Sequence, residues 1–248
     1  MGTDADDIID LYERHARAWV RARLQERQVH GLYERGWLDR FCELVSPGRT
    51  VLDMGCGAGQ PIAAYLVERG FSVTGVDSSN TMVAMFQAHL PGQQALTSDM
   101  RTLALGRAFH GVLAWDSFFH LDHDSQRRMF PVLRAHAAPR AALMFTSGPA
   151  HGEGIGRLEG DPLYHASLDA TEYRQLLDSY DFDVLATVAE DRTCGRRTVW
   201  LAQRRYYSAH SSTSASGSLG ISGPASEKDT LREMSLMLAI RYPNIPSV

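Results

Sequence analysis

The sequence predicts an α/β fold with a doubly wound, mostly parallel sheet and helices on both faces. Three observations support this prediction. Short apolar segments alternate with helical segments from residue 50 to residue 202. A glycine-rich turn follows the first strand and leads into a helix. Acidic residues follow four of the strands, at the edge of the sheet where such folds bind ligands.

The individual elements follow from hydrophobic periodicity and from capping signals. Runs of apolar and β-branched residues indicate strands, and apolar residues at helical spacing indicate helices. Asp169 and Glu172 form a capping box at the start of one helix. We predict strands at residues 50–52, 72–77, 95–97, 109–116, 141–146, 182–189 and 197–202. We predict helices at residues 6–28, 37–45, 62–69 and 80–89, with further helices beginning near residues 122 and 169.

Composition limits the classes of protein to which this chain can belong. Of its 248 residues 44% are hydrophobic and 22% are charged, which is typical of a globular protein. The net charge of −4 predicts no nucleic-acid partner. Three cysteines without a C-x-x-C pair argue against a disulfide framework or a zinc site. The acidic N-terminus and the lack of a long apolar run predict a cytoplasmic protein without membrane contact.

The sequence also predicts three parts along the chain. Residues 1–45 hold the first two helices, and residues 46–205 hold the alternating strands and helices. Residues 206–248 begin with a stretch rich in Ser and Gly, which has the composition of a flexible linker. A short helix could follow the linker, and a disordered tail fits the composition equally well.

The glycine turn predicts a nucleotide-type ligand. Asp53 ends the first strand, and Gly55, Gly57 and Gly59 follow at alternate positions. Glycines allow positive φ angles and a close approach of the backbone to a bulky ligand. The spacing differs from the dinucleotide pattern G-x-G-x-x-G, because Gln60 stands at the third glycine position. A carboxylate at the turn would repel a pyrophosphate and suits a cationic ligand end.

The pattern D-x-G-x-G-x-G at residues 53–59 resembles the first motif of class I S-adenosylmethionine (SAM) methyltransferases. The resemblance covers residues 46–205. It implies a Rossmann-like, seven-stranded sheet that ends in a C-terminal β-hairpin with one antiparallel strand. It also implies SAM as the cofactor, and an N-terminal helical lid in residues 1–45.

The resemblance assigns roles to side chains at the strand ends. Asp77 would accept hydrogen bonds from the ribose hydroxyls, and Asp99 and Met100 would contact the adenine. Tyr12 and Trp19 on the N-terminal helix are candidate contacts of cofactor or substrate. The complete predicted cofactor-binding set is Tyr12, Trp19, Asp53, Gly55, Cys56, Gly57, Gly59, Asp77, Ser78, Asp99, Met100, Trp115 and Asp116.

Four side chains are candidates for a catalytic base. His120 follows the fourth strand, in a phrase similar to one found in many small-molecule methyltransferases. His151, Glu153 and His165 lie between the fifth strand and the next helix, in a glycine-rich segment that we interpret as a long substrate loop. Their spacing fits no metal site, so we predict a reaction without a metal ion.

These observations together predict transfer of a methyl group from SAM to an oxygen or nitrogen of a small molecule by in-line displacement. Three alternatives remain open. A protein of this fold could bind SAM without turnover, or the chain could be an NAD-dependent oxidoreductase. Asp116-Ser-Phe-Phe119 also partly matches the D/N-P-P-Y/F motif of enzymes that methylate amines of nucleic acids or glutamine, but it lacks both prolines.

Overall fold

A computed structural model describes residues 4–45 and 49–206, with side chains from residue 7 onward. The helices are α1 (Asp4–His30), α2 (Arg35–Val45), α3 (Ile62–Glu68), α4 (Asn80–His89), α5 (His123–His136) and α6 (Ala170–Ser179). The strands are β1 (Thr50–Met54), β2 (Ser72–Asp77), β3 (Gln94–Thr97), β4 (Phe109–Ala114), β5 (Ala137–Ser147), β6 (Gly152–Leu158), β7 (Asp161–Ser167), β8 (Phe182–Asp191) and β9 (Arg197–Arg204).

Seven strands form one sheet in the order β3-β2-β1-β4-β5-β9-β8. The pairs from β3 to β5 are parallel, and β9 is antiparallel to both β5 and β8. The strand order reverses direction between β1 and β4, and ligands bind beside such a point in open α/β sheets. The predicted seven-stranded sheet and its C-terminal hairpin are confirmed.

Helices cover both faces of the sheet, as predicted. Along β5, Leu143 and Phe145 belong to the core under α5 and α6, whereas Ala142 and Met144 belong to the core under α2, α3 and α4. This alternation follows from the strand period of two. Because both faces are buried, the strands are nearly continuous apolar runs.

Helix α1 lies across the carboxyl edge of the sheet. Ala16 and Val20 pack with Ala58 and Met82, next to the glycine turn and α4. Nearer its N-terminus, the helix packs on β7. No described helix is long and apolar enough to cross a membrane.

The prediction of a long loop after β5 is wrong, because most of that segment forms the antiparallel hairpin β6–β7. The two strands meet at Glu159 and Gly160, whose φ angles are +52° and +94°. Positive φ at both positions is typical of a two-residue hairpin turn. The predicted linker and helix in residues 207–248 lie outside the described residues.

Candidate functional site

The glycine turn after β1 has the backbone geometry that the sequence predicts. The φ angles of Gly55, Gly57 and Gly59 are +75°, +52° and +76°. A Cβ on Gly55 would lie 2.2 Å from Cβ of Ser117, and a Cβ on Gly59 would lie 2.7 Å from a ring carbon of Phe86. Larger residues at positions 55 and 59 would therefore clash as well as strain the backbone, so the turn requires glycine at both.

Asp77 connects the end of β2 to the glycine turn. Its carboxylate accepts hydrogen bonds from the backbone N–H groups of Gly57 and Ser79, both at 2.9 Å. Burial raises the pKa of Asp77, and these hydrogen bonds partly offset the effect of burial. The carboxylate therefore lies beside the turn with its orientation fixed by the backbone.

A cavity opens above the turn, and we call it the glycine-turn cavity. Its wall comes from α1, the turn, and the ends of β2, β3 and β4, so it lies at the edge where parallel strands bind ligands. Its lining residues are Ile8, Ile9, Tyr12, Trp19, Gly55, Gly57, Val76, Asp77, Ser78, Met82, Ser98, Asp99, Met100, Arg101, Trp115, Asp116, Ser117, His120 and Leu121.

Ten of the thirteen predicted cofactor-binding residues line this cavity; Asp53, Cys56 and Gly59 do not. Asp53 is nevertheless distinctive, because its side chain is buried beside the turn. Burial, and next the charge of Asp77, raise its pKa to about 7. A buried carboxyl in this state would be stabilised by a nearby cation.

Asp99 is at the predicted position but already has a partner. Its carboxylate receives the guanidinium of Arg101 at 2.7–3.1 Å and also the backbone N–H of Arg101 at 2.8 Å. A ligand amino group at this point would have to share the carboxylate with Arg101.

Asp116 follows β4 in a left-handed conformation, with φ of +49°. Its backbone N–H donates to Oγ1 of Thr146 at 2.9 Å. Its carboxylate receives Nε and Nη2 of Arg197 at 2.8–3.0 Å, which is a two-pronged ion pair. Asp116 is therefore tied to β5 and β9 at the rim of the sheet.

His120 is buried, and both of its ring nitrogens are engaged. Nδ1 lies 2.8 Å from the backbone carbonyl of Tyr164, which can only accept, so Nδ1 carries the proton. Nε2 of the neutral ring then accepts from the hydroxyl of Tyr12 at 2.9 Å. Burial lowers the pKa of His120 to about 4. The ring is neutral near pH 7 and is held by α1 and β7.

A second cavity adjoins the first, and we call it the side cavity. It has a volume of about 460 Å³, which is large enough for a small molecule. The two cavities share Tyr12, Trp19, Asp116 and His120. The side cavity is lined by Tyr12, Trp19, Ala22, Arg23, Glu26, Asp116, Phe119, His120, Leu163, His165, Gly195 and Arg197.

Comparisons with known proteins identify the domain. The model of a family described as a methyltransferase domain matches residues 51–140. Residues 51–140 are therefore identified as similar to a methyltransferase domain. A ubiquinone biosynthesis O-methyltransferase of Pseudomonas paraeruginosa (strain DSM 24068 / PA7) is 31% identical over 83 residues, which are 33% of this chain and 34% of that protein. This chain spans 18% to 39% of the length of the curated relatives that it matches.

Solved structures show the same fold at low sequence identity. One is magnesium protoporphyrin IX methyltransferase from Synechocystis PCC 6803 with bound SAM, which is 19% identical to this chain and has a TM-score of 0.63. The match covers 82% of this chain and 98% of that protein chain. An amino pentose methyltransferase from Micromonospora echinaspora, also with bound SAM, is 20% identical with a TM-score of 0.56 over 71% of this chain and 91% of its own.

The structure places the four candidate bases in different surroundings. His120 and His165 line the side cavity, with ring centres 4.9 Å apart. His151 stacks on His123 at 4.4 Å, and Glu153 accepts from the hydroxyl of Tyr164 at 2.9 Å. Neither His151 nor Glu153 lines either of the two cavities. The predicted grouping of three bases on one loop is therefore wrong, because that segment folds into a hairpin.

Three charged residues at or near the cavities, Glu13, Arg23 and Arg197, were not predicted from the sequence. Glu13 on α1 accepts from the hydroxyl of Ser79 at 2.5 Å, and from the backbone N–H and hydroxyl of Thr81 at 3.1 and 2.7 Å. Arg23 and Arg197 line the side cavity. These charged residues belong to no sequence motif. Their place near the cavities follows only from the residues that they contact in the folded structure.

Proposed function

We propose that this protein is a SAM-dependent methyltransferase that acts on an oxygen or nitrogen of a small molecule. The observation that carries the proposal is the junction of the two cavities at Tyr12, Trp19, Asp116 and His120. A cofactor in the glycine-turn cavity and an acceptor in the side cavity would meet there. Holding two reactants in line supplies roughly 7–11 kcal/mol toward such a reaction.

The residues of the glycine-turn cavity fit SAM. Gly55 and Gly57 line the glycine-turn cavity, and Asp77 would accept hydrogen bonds from the ribose hydroxyls. Asp53 lies outside the cavity lining, but it comes directly before the turn, and its buried carboxyl would stabilise the ammonium of the methionine part. Met100 and the backbone beside it would contact the adenine, as the family resemblance implies.

Methyl transfer then requires only an aligned nucleophile and a base that accepts the proton of the nucleophile. SAM supplies a methyl carbon that is already activated on a sulfonium, so the acceptor's lone pair can bond to it while the carbon–sulfur bond breaks toward sulfur. His165 lines the side cavity, and its pKa is lowered chiefly by burial, so the neutral ring can accept a proton there. His120, with both nitrogens engaged, would position Tyr12 and β7.

A turnover assay tests this proposal. The full chain is incubated with SAM and a panel of small phenols, alcohols and amines, and the S-adenosylhomocysteine (SAH) formed is measured. We expect acceptor-dependent SAH formation, and loss of turnover in Asp77→Asn. Tight binding of SAM without turnover on the whole panel would favour the alternative, a protein of the same fold that binds SAM without catalysis.

A further inference from the structure

Both arginines of the side cavity are paired with carboxylates of the protein. The guanidinium of Arg197 is held by Asp116 through Nε and Nη2, and its Nη1 donates to the carbonyl of Gly195 at 3.2 Å. The guanidinium of Arg23 pairs with Glu34 and, at 3.1 Å, with Glu26. Both cations in the cavity wall are thus occupied by carboxylates of the protein, and neither is available to bind an anionic acceptor.

Carboxylates outnumber cations in this network. Glu26, Glu34 and Asp116 carry three negative charges against the two positive charges of Arg23 and Arg197. Both guanidinium groups lie over the ring of Tyr33, with Cζ of Arg23 at 4.8 Å and Cζ of Arg197 at 4.7 Å from the ring centre, so the ring links the two ion pairs. The three carboxylates and two guanidinium groups together carry a net charge of −1, which disfavours an anion beside them.

Glu26 is the carboxylate most open to a ligand. Its side chain is 42% exposed, whereas that of Glu34 is fully buried and that of Asp116 is 15% exposed. Glu26 therefore retains access to a ligand in the side cavity while it holds Arg23.

Aromatic rings make up much of the remaining wall. Tyr12, Trp19 and Phe119 line the cavity, together with the imidazoles of His120 and His165. Tyr12 and Trp19 meet edge to face with ring centres 6.1 Å apart, and Phe119 lies 5.2 Å from His165. The faces of such rings attract cations.

We propose that the methyl acceptor is an amine that enters as a cation on an aromatic or apolar frame, and that Glu26 with the aromatic wall selects it over anionic acceptors. This inference rests on the proposed function, because it names the class of acceptor for the same reaction. The acceptor nitrogen must lose a proton before its lone pair is available. The neutral imidazole of His165 accepts that proton and later releases it to solvent.

Three probes of one size test the selection by charge: benzylamine, benzyl alcohol and benzoate. Each is titrated into the full chain saturated with SAH, and binding is measured by calorimetry or by ligand-observed NMR. We expect benzylamine to bind at least about tenfold more tightly than benzoate, with benzyl alcohol between them. Equal or tighter binding of benzoate, or no saturable binding of benzylamine, would overturn the inference.

Two variants refine this test. Glu26→Gln removes the accessible carboxylate and loosens Arg23, so it should weaken benzylamine and strengthen benzoate. Asp10→Asn removes an exposed acid of the same helix outside both cavities and should change neither. If Glu26→Gln discriminates between benzylamine and benzoate as the wild type does, Glu26 does not select the acceptor by charge. Failure to bind SAH at all would instead contradict the proposed function, so the two failures are distinguishable.

Discussion

At the scale of single residues, two buried groups near the glycine turn change the free energy of unfolding in opposite directions as the pH rises. Asp53 has its pKa raised to about 7, and His120 has its pKa lowered to about 4. Below pH 7 the folded state favours the protonated Asp53 and, above pH 4, the neutral His120. Between about pH 4 and pH 6.5, rising pH therefore lowers the unfolding free energy through Asp53 and raises it through His120.

The Asp53→Asn variant tests whether ionisation of the buried Asp53 carboxyl lowers the free energy of unfolding. The folded pKa lies above that of the unfolded chain, so the penalty is absent below about pH 3.8 and complete above about pH 7. Relative to the wild type, the variant should therefore gain up to roughly 4 kcal/mol of unfolding free energy as the pH rises across this window. Urea unfolding at several pH values measures it. A difference between the two proteins that does not change with pH would refute the raised pKa.

The Asp77→Asn variant should weaken SAH binding by about ten- to a hundredfold. The reason is the loss of charge-assisted hydrogen bonds, which contribute roughly 1.5–3 kcal/mol, to the ribose hydroxyls. Calorimetric titration measures the affinity, and circular dichroism checks the fold. Asp124→Asn is the matched control, because its side chain is 75% exposed and lies outside both cavities. If Asp77→Asn binds SAH as the wild type does, the ribose assignment is incorrect.

At the scale of elements, α1 is attached to three other parts of the domain. Glu13 accepts hydrogen bonds at the start of α4, and Tyr12 donates to His120. His15 and Arg14 reach Asp161 at the start of β7, at 2.9 and 3.2 Å. Because α1 also forms one wall of the glycine-turn cavity, these attachments should control how fast a ligand leaves it.

The Glu13→Gln variant tests this control. An amide presents one acceptor oxygen where the carboxylate presents two, so α1 should separate from α4 more readily. We expect SAH to dissociate at least about fivefold faster in a stopped-flow displacement experiment. Asp10→Asn serves as the control on the same helix. An unchanged dissociation rate in Glu13→Gln would show that α1 does not limit ligand release.

The elements of the sheet could be predicted from sequence, whereas the hairpin β6–β7 could not. Strands such as β1 and β4 are apolar runs, because both faces of the sheet are buried. The hairpin carries a weaker signal: Gly152, Gly154 and Gly156 interrupt the alternation of side chains along β6. Its turn at Glu159–Gly160 also lacks the usual Asn-Gly or Asp-Gly pair.

At the scale of the whole molecule, the two cavities differ in how far sequence could predict them. The glycine-turn cavity is built from residues that directly follow consecutive parallel strands, so one motif and its spacing located most of it. The side cavity combines α1, the segment after β4, the hairpin and the end of the sheet. Residues such as Arg23, His165 and Arg197 meet there only through the tertiary fold.

A chain that ends at Tyr206 should bind SAH with the affinity of the full chain. The reason is that all residues that line the two cavities lie between Ile8 and Arg197. Thermal unfolding and SAH titration of the shortened protein measure the outcome. Loss of folding or of binding would show that residues 207–248 take part in the domain.

The most direct test of the central claim is calorimetric titration of the full chain with SAH, with NADH titrated in parallel. The glycine spacing and the acids at the strand ends predict saturable one-to-one binding of SAH and no binding of NADH. Binding of NADH in place of SAH, or of neither ligand, would contradict the assignment of the glycine-turn cavity to SAM.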